Sequence, residues 1–340
     1  MGNMNEIEEI LPLREKYRLL VTANLYGAFF VIKKRYGIRI NHMASVSWRH
    51  GWRIDCNNNE ITSVIEPSEW HYDVHLVTNE EEAEIVNSQS IGRAIAVGLP
   101  YAYVLREEGK IKRRRDSLLV MPPHGINEQY SFEGTYFENI KKLSEKFSYV
   151  CVCINDVDYR KGDMNRVCEK LGLDYVRGAI SNDKNALYRM RNLFEYFEYV
   201  TTPVLGSHIA YAAATGAKVS VFMQEDKCYR LNDYSKHPWF WHALWYKSLA
   251  TKLKILEHEN YIEKWPWLYV EPYNAIENID WGLEQIGYSN IKSSEDLKCT
   301  IGLTNKTVMS GTKALLRKLK QKLILLIINR NLKLLGFLSE

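Results

Sequence analysis

The chain has 340 residues, 46% of them apolar and 25% charged, with a formal net charge of +4. This is the composition of a globular protein long enough for one large domain or two ordinary ones. A net charge this small does not signal nucleic-acid binding, and no nucleic-acid partner is expected.

The N-terminal stretch Met-Gly-Asn-Met-Asn-Glu-Ile-Glu-Glu is acidic and lacks the apolar core of a secretory signal. The six cysteines form no C-x-x-C and no paired zinc spacing, so a cytoplasmic chain with reduced thiols and no metal is expected. Leu13 to Tyr36 reads as a helix broken near Gly27 and stopped at Gly37. Ile38 to Trp48 reads as a strand running into the loop Arg49-His-Gly-Trp52. Asp73 to Thr78 is a short strand, Asn79 to Ser88 an acidic helix, and Ala94 to Val97 a further strand ending at Gly98-Leu-Pro100, together a small βαβ unit. His71 and His75 are four residues apart, but their segment reads as strand, where that spacing does not form a helical metal pair. Residues 106–116 are almost wholly charged and read as a linker, which places a domain boundary there.

Beyond the linker the pattern becomes regular. Strand Ser117 to Met121 leads to the loop Pro122-Pro-His-Gly125 and a helix from about Phe132 to Lys146. Strand Tyr149 to Ile154, with Cys151 and Cys153 on one face, ends in Asn155-Asp156, and a helix follows from Gly162 to Leu171. Strand Asp174 to Val176 ends at Arg177-Gly-Ala179, and Ser181-Asn-Asp183 can cap a helix reaching about Phe197. Strand Tyr199 to Thr202 leads through Pro203-Val-Leu-Gly-Ser-His208 into a small-residue helix, Ile209 to Thr215, stopped by Gly216. Strand Lys218 to Phe222 closes the series. Strands alternating with helices in this way predict a doubly wound parallel sheet. Asn274 to Ile286 reads as one more helix.

Open parallel sheets bind ligands outside the carboxyl ends of their strands. That rule selects His124 and Gly125, Asn155 and Asp156, Gly178, the stretch Thr201 to His208 with Thr202, Gly206, Ser207 and His208, and Gln224 and Glu225. The strongest local signal is Thr201 to Phe222. Gly206 permits a tight turn and close approach of a ligand. Ser207 and His208 open a helix whose unpaired N–H groups and positive dipole end suit a phosphate. The same turn can equally be a strand–helix connection with a serine cap and no ligand. Neither G-x-G-x-x-G nor G-x-x-x-x-G-K-[ST] occurs, which argues against nicotinamide enzymes and P-loop NTPases.

Thr202 to Val219 follows the pattern T-x-x-x-G-S-H-x-x-Y-A-x-x-x-G-x-x-V and resembles the donor-binding domain of GT-B glycosyltransferases, those of bacterial capsule and lipopolysaccharide synthesis above all. Ser117-Leu-Leu-Val-Met-Pro-Pro-His124, Arg49-His-Gly-Trp52 and Val97-Gly-Leu-Pro-Tyr101 fit the same resemblance. It implies an α/β chain of two Rossmann-like domains: 1–112 on the acceptor side, 113–295 holding the donor, and 296–340 a basic amphipathic tail. It implies transfer of a sugar from a nucleotide donor, CMP-linked sugars among the candidates, to a glycan or lipid-linked glycan, without a cofactor beyond the donor itself. Ser207 and His208 would contact phosphate, His124 and Gly125 the phosphate or sugar, and Gly178 and Asp183 the base or ribose. Inverting transfer needs a base for the acceptor hydroxyl, and an imidazole titrating near neutrality makes His50 the leading candidate. Asp55 and Glu66 are the alternatives, and Arg49 and Trp52 are acceptor contacts. A structural role for His50 is equally consistent with the sequence.

The tail combines Lys313, Arg317, Lys318, Lys320, Lys322, Arg330 and Lys333 with a stripe of Leu315, Leu316, Leu319, Leu323, Leu326 and Ile327. A basic amphipathic helix over 312–338 suits an anionic membrane surface, which would place the protein at the inner face of the bacterial inner membrane. The same stripe also fits packing on the protein itself or on a second copy of the chain. A nucleotide-sugar epimerase of similar fold and a non-catalytic subunit of a polysaccharide assembly complex are the competing functional readings.

Overall fold

Apolar strands separated by amphipathic helices fold here into two sheets in which every strand runs parallel to its neighbours. The computed structural model describes residues 2–20, 22–40, 46–52, 61–65, 69–70, 72–89, 91–105, 111–123, 130–132, 135–222, 229–231 and 259–301. The first sheet contains β1 (Val46–Trp48), β2 (Val74–Val77) and β3 (Arg93–Ala96), in that order. Helices α1 (Gly2–Ile10), α2 (Ala28–Tyr36), α3 (Ile61–Val64), α4 (Glu80–Ser88) and α5 (Pro100–Leu105) belong to this part of the chain. Local chemistry explains α4. The Asn79 side chain accepts the Glu82 N–H at 3.0 Å, glutamates fill the first turn, and Ala83, Ile85 and Val86 are buried. His75 sits inside β2, fully buried, with Nδ1 2.8 Å from Ser47 Oγ; His71 lies outside the described residues.

The second part runs β4 (Arg114–Val120), β5 (Tyr130–Phe132), α6 (Thr135–Leu143), β6 (Tyr149–Ile154), α7 (Asp156–Lys161), α8 (Asp163–Leu171), β7 (Asp174–Arg177), α9 (Ala186–Tyr196), β8 (Phe197–Thr202), α10 (Ser207–Ala214), β9 (Lys218–Val221) and β10 (Tyr229–Leu231). Five of these strands form one parallel sheet in the order β7-β6-β4-β8-β9, while β5 and β10 make a separate antiparallel pair. The first strand lies centrally and the chain winds outward in both directions, the Rossmann-like order. All six residues of β6 are buried, and their sides alternate. Val150, Val152 and Ile154 join the core under α6 and α8, while Cys151 and Cys153 face the larger core. Burial pushes the Cys153 thiol up to about 12, so it stays protonated. The larger core continues through α9 and α10 to Trp48, Leu76 and Val97 of the first sheet, and the ring of Tyr101 stacks on Tyr211 at 4.0 Å.

Four expectations need correction. Leu13 to Tyr36 is not one helix. Residues 12–20 run extended, with Lys16 bridged to Asp183, and a 3-10 segment Thr22–Gly27 precedes α2. Tertiary pairing overrides the helical pattern: Tyr17 N–H donates to Asn182 O at 3.0 Å and Lys184 N–H to Glu15 O at 2.9 Å. The basic run is likewise not wholly linker. Arg114 and Arg115 are already strand, and Arg113 donates to Thr215 O at 2.7 Å and Gly216 O at 2.9 Å, a cation on the carboxyl end of α10. Phe132 belongs to β5 rather than to a helix, and the helix expected over Asn274 to Ile286 is only Ile279–Gln285, capped by Asn278, after a separate turn at Pro272–Asn274.

A charged cluster at the start of β8 yields a pH prediction. Glu198 accepts the Asp116 N–H at 2.7 Å and the Lys218 ammonium at 3.0 Å. Burial opposes ionisation of Glu198, but these partners together hold its carboxyl below the ordinary 4.5. Lys218 is held above its ordinary 10.5 by Tyr199 and Glu198. A lowered acid contributes stability above its unfolded value and loses it as pH falls through the folded one; a raised base contributes below its unfolded value and loses it as pH rises through the folded one. Glu198→Gln is therefore expected to cost about 1–2 kcal/mol in urea titrations at neutral pH. The difference should shrink as pH falls below the ordinary 4.5 and through the lowered folded value, and a pH-independent difference would rule out the ionic origin.

Candidate functional site at the carboxyl edges of the two sheets

The loop after β1 meets the amino end of α10. Arg49 N–H donates to Leu76 O at 2.9 Å, which extends the β1–β2 ladder by one residue. Its guanidinium lies 3.5 Å from the buried Glu82 carboxylate and donates to Val64 O. The second Glu82 oxygen takes the Thr78 N–H at 2.9 Å. The His50 carbonyl accepts the Tyr211 hydroxyl at 2.8 Å, and the imidazole lies 6.0 Å from the ring of Tyr26. Gly51 passes so close to α10 that a Cβ there would stand 2.9 Å from Ser207 Oγ. Trp52 N–H donates to Ser207 Oγ at 2.9 Å, and its indole N–H reaches Gln285 Oε1 at 3.0 Å. The His50 loop is thus pinned at both sides to the turn that opens α10.

Gly206 stands at the amino end of α10 in extended conformation, after the short turn Pro203-Val-Leu205 that follows the carboxyl end of β8. In the order β7-β6-β4-β8-β9 the winding reverses between β4 and β8, so Gly206, Ser207 and His208 occupy the switch point. Thr202 is fully buried; its hydroxyl accepts the Val204 N–H at 3.4 Å and its carbonyl the Phe222 N–H at 2.9 Å, both of which shape that turn.

At the neighbouring strand ends, Asn155 caps α7 by accepting the Val157 N–H at 2.9 Å. Gly178 N–H donates to Ile154 O at 2.8 Å, and a Cβ at 178 would press on Cys153 Sγ at 3.2 Å. Asp183 is fully buried and holds the Glu15 and Asn185 N–H groups at 2.9 and 3.0 Å, which ties the extended segment to this edge.

Asp156, which the carboxyl-edge rule selects, pairs with Arg177, whose Nε donates to it at 2.7 Å, and with Arg160 at 3.2 Å. Arg177 and Tyr26 are residues that the sequence did not single out. Arg177 lies over the Tyr159 ring at 5.3 Å. Tyr26 adopts a left-handed backbone at φ 57°, uncommon for a bulky residue, and its N–H donates to Ser181 O at 2.8 Å. Burial first, and then the Asp156 carboxylate, raise its hydroxyl pKa. Tyr26 therefore links the His50 loop to the Asp156–Arg177 pair. The signal that could have found Arg177 is its place at the carboxyl end of β7, the same rule that selects Asp156. Nothing local marks Tyr26, whose position depends on pairing with residues far along the chain.

Taken together, the fold gathers His50, Ser207, His208, Asn155 and Gly178 at carboxyl strand ends. Arg49, Trp52, Thr202 and Asp183 are engaged in holding that edge in shape. Asp55, Glu66, His124, Gly125, Gln224 and Glu225 lie outside the described residues, as do 302–340 of the tail. Among the described residues no helix is long and apolar enough to cross a membrane, and no three metal-ligating side chains cluster. No protein-family model matches the sequence, and comparison with curated proteins finds no match. The class the fold defines is therefore an α/β protein with two all-parallel, Rossmann-like sheets.

Proposed function

We propose that the protein is a GT-B-type glycosyltransferase that moves a sugar from a nucleotide-activated donor, such as a CMP-linked sugar, to a glycan or lipid-linked glycan of a bacterial surface polysaccharide. The observation that carries this reading is the Gly206-Ser207-His208 turn at the switch point of the larger sheet, faced across 2.9 Å by the His50 loop of the smaller one. A switch-point crevice with a helix amino end is where a nucleotide phosphate is best held, because backbone N–H groups and the helix dipole oppose its charge. In the transfer step an acceptor oxygen attacks the anomeric carbon, the bond to the donor phosphate breaks, and the hydroxyl proton passes to a base. His50 would take that proton, and the amino end of α10 would stabilise the departing phosphate. The basic tail would bring the enzyme to the inner membrane face, where lipid-linked acceptors lie.

The test combines binding and turnover. One of CMP, UDP, GDP or dTDP is expected to raise the melting temperature, since a ligand that binds only the folded state stabilises it. His50→Ala is expected to lower kcat by roughly 10²–10⁴-fold with nucleotide affinity unchanged. A protein that no nucleotide stabilises would defeat the reading. One that binds nucleotide but interconverts free nucleotide sugars would instead be an epimerase.

A further inference from the structure

We infer that a groove between the extended segment 12–20 and α2 is a second binding site, one for a small ligand bearing a phosphate or carboxylate group. The cavity measures about 280 Å³. Tyr17, Phe29 and Phe30 line it, together with the cations Arg18, Lys33 and Arg39, all three exposed. These cations come from three different places: the extended segment, the last turn of α2, and the stretch beyond the left-handed turn at Gly37, φ 68°. No acid lines the groove, and none of the three is ion-paired among the described residues. Glu15 of the same extended segment is taken by Lys184 at 2.9 Å, and that Lys184 lies over the Phe30 ring.

Helix electrostatics does not account for this arrangement. Lys33, Lys34 and Arg35 in the last turn of α2 favour its carboxyl end. Lys34 turns to the Tyr188 ring at 3.9 Å and Arg35 donates to Tyr103 O at 3.2 Å, whereas Lys33 faces the groove. Arg18 and Arg39 are not on the helix. Like charges gathered around one concavity repel each other, and an aromatic wall that holds back water strengthens that repulsion. A bound oxyanion reverses its sign, and a guanidinium fork matches two oxygens of a phosphate or carboxylate. The volume is at the lower limit of ligand pockets, which run from about 300 to 1,000 Å³, so it suits a monosaccharide phosphate or uronate and not an intact nucleotide sugar. The groove shares no residue with the His50 loop or the Gly206-Ser207-His208 turn, and it stands whether or not those transfer sugar.

The experiment is calorimetric titration of the full chain with pyrophosphate, glucose 1-phosphate, glucuronate and uncharged glucose. At least one anionic probe should bind and glucose should not; comparing the phosphate and carboxylate arms identifies the preferred group. The Arg18→Gln, Arg39→Gln double variant should weaken binding at least about tenfold, with Lys33→Gln giving a smaller loss. Raising salt from about 50 to about 300 mM should weaken it further. These residues are exposed, so the variants are expected to melt with the parent. Absence of binding by every anionic probe overturns the inference, as does equal binding by the double variant or by glucose. Nucleotide-induced melting shifts measured on the same proteins report the carboxyl edge independently, so failure at one site is not mistaken for failure at the other.

Discussion

Gly282→Ala is expected to destabilise the protein by about 3 kcal/mol, although alanine in place of a helical glycine ordinarily gains about 1 kcal/mol. Gly282 lies in the helix Ile279–Gln285, where that helix crosses α10. A Cβ at 282 would stand 2.2 Å from Ala214 N, 2.6 Å from Ala213 C and 2.8 Å from Ala214 Cα. These are main-chain atoms and cannot rotate away, so one helix must shift. Gly172→Ala is the control. Nothing lies within 4 Å of a Cβ there, but φ is +63°, so only the left-handed backbone penalty of about 1 kcal/mol applies. Urea unfolding followed by tryptophan fluorescence reads both. A Gly282→Ala protein as stable as its parent would mean that the two helices do not make this contact. Because α10 carries Ser207 at its other end, the same shift is expected to weaken nucleotide binding, while Gly172→Ala leaves it intact.

That crossing marks the limit of what the sequence discloses. The alanines of α10 announce a helix able to lie close to something, but they do not name Gly282 as what it meets. The larger sheet was legible because each strand is bounded by its own local signals: the buried run Tyr149–Ile154, its end at Asn155-Asp156, the stop at Gly216. The carboxyl-edge rule then located Asn155, Gly178 and Ser207 without any contact information. The extended segment before α2 was misread for the opposite reason. Its apolar spacing fits a helix, yet its backbone bonds to Asn182 and Lys184, and Leu13 is left 85% exposed. Arg113 was read as part of a solvated run, and only the fold brings the last carbonyls of α10 to it. In each case the deciding partner is distant in sequence, and periodicity carries no information about it.

The same distinction governs the residue whose role changes most. Trp52→Ala is expected to cost about 3–5 kcal/mol, the usual effect of deleting a large buried aromatic. Trp52 is only 8% exposed, with ring centroids 5.7 Å from Trp265 and 5.4 Å from Trp281. Trp281 also meets Trp267 at 5.2 Å, and Tyr261 stacks on Trp265 at 5.5 Å. Deleting the Trp52 ring opens a cavity in this cluster and releases the loop that presents His50. Trp52→Phe keeps a ring but removes the donor to Gln285 Oε1, which should cost about 1–2 kcal/mol. In the alanine variant turnover is expected to fall more than nucleotide affinity, since Ser207 remains on α10 while the facing loop loosens. A purely acceptor-contacting tryptophan would behave differently. Trp52→Ala would then melt with the parent and raise only the KM for acceptor, and that result would overturn the structural role assigned to it by the tryptophan cluster.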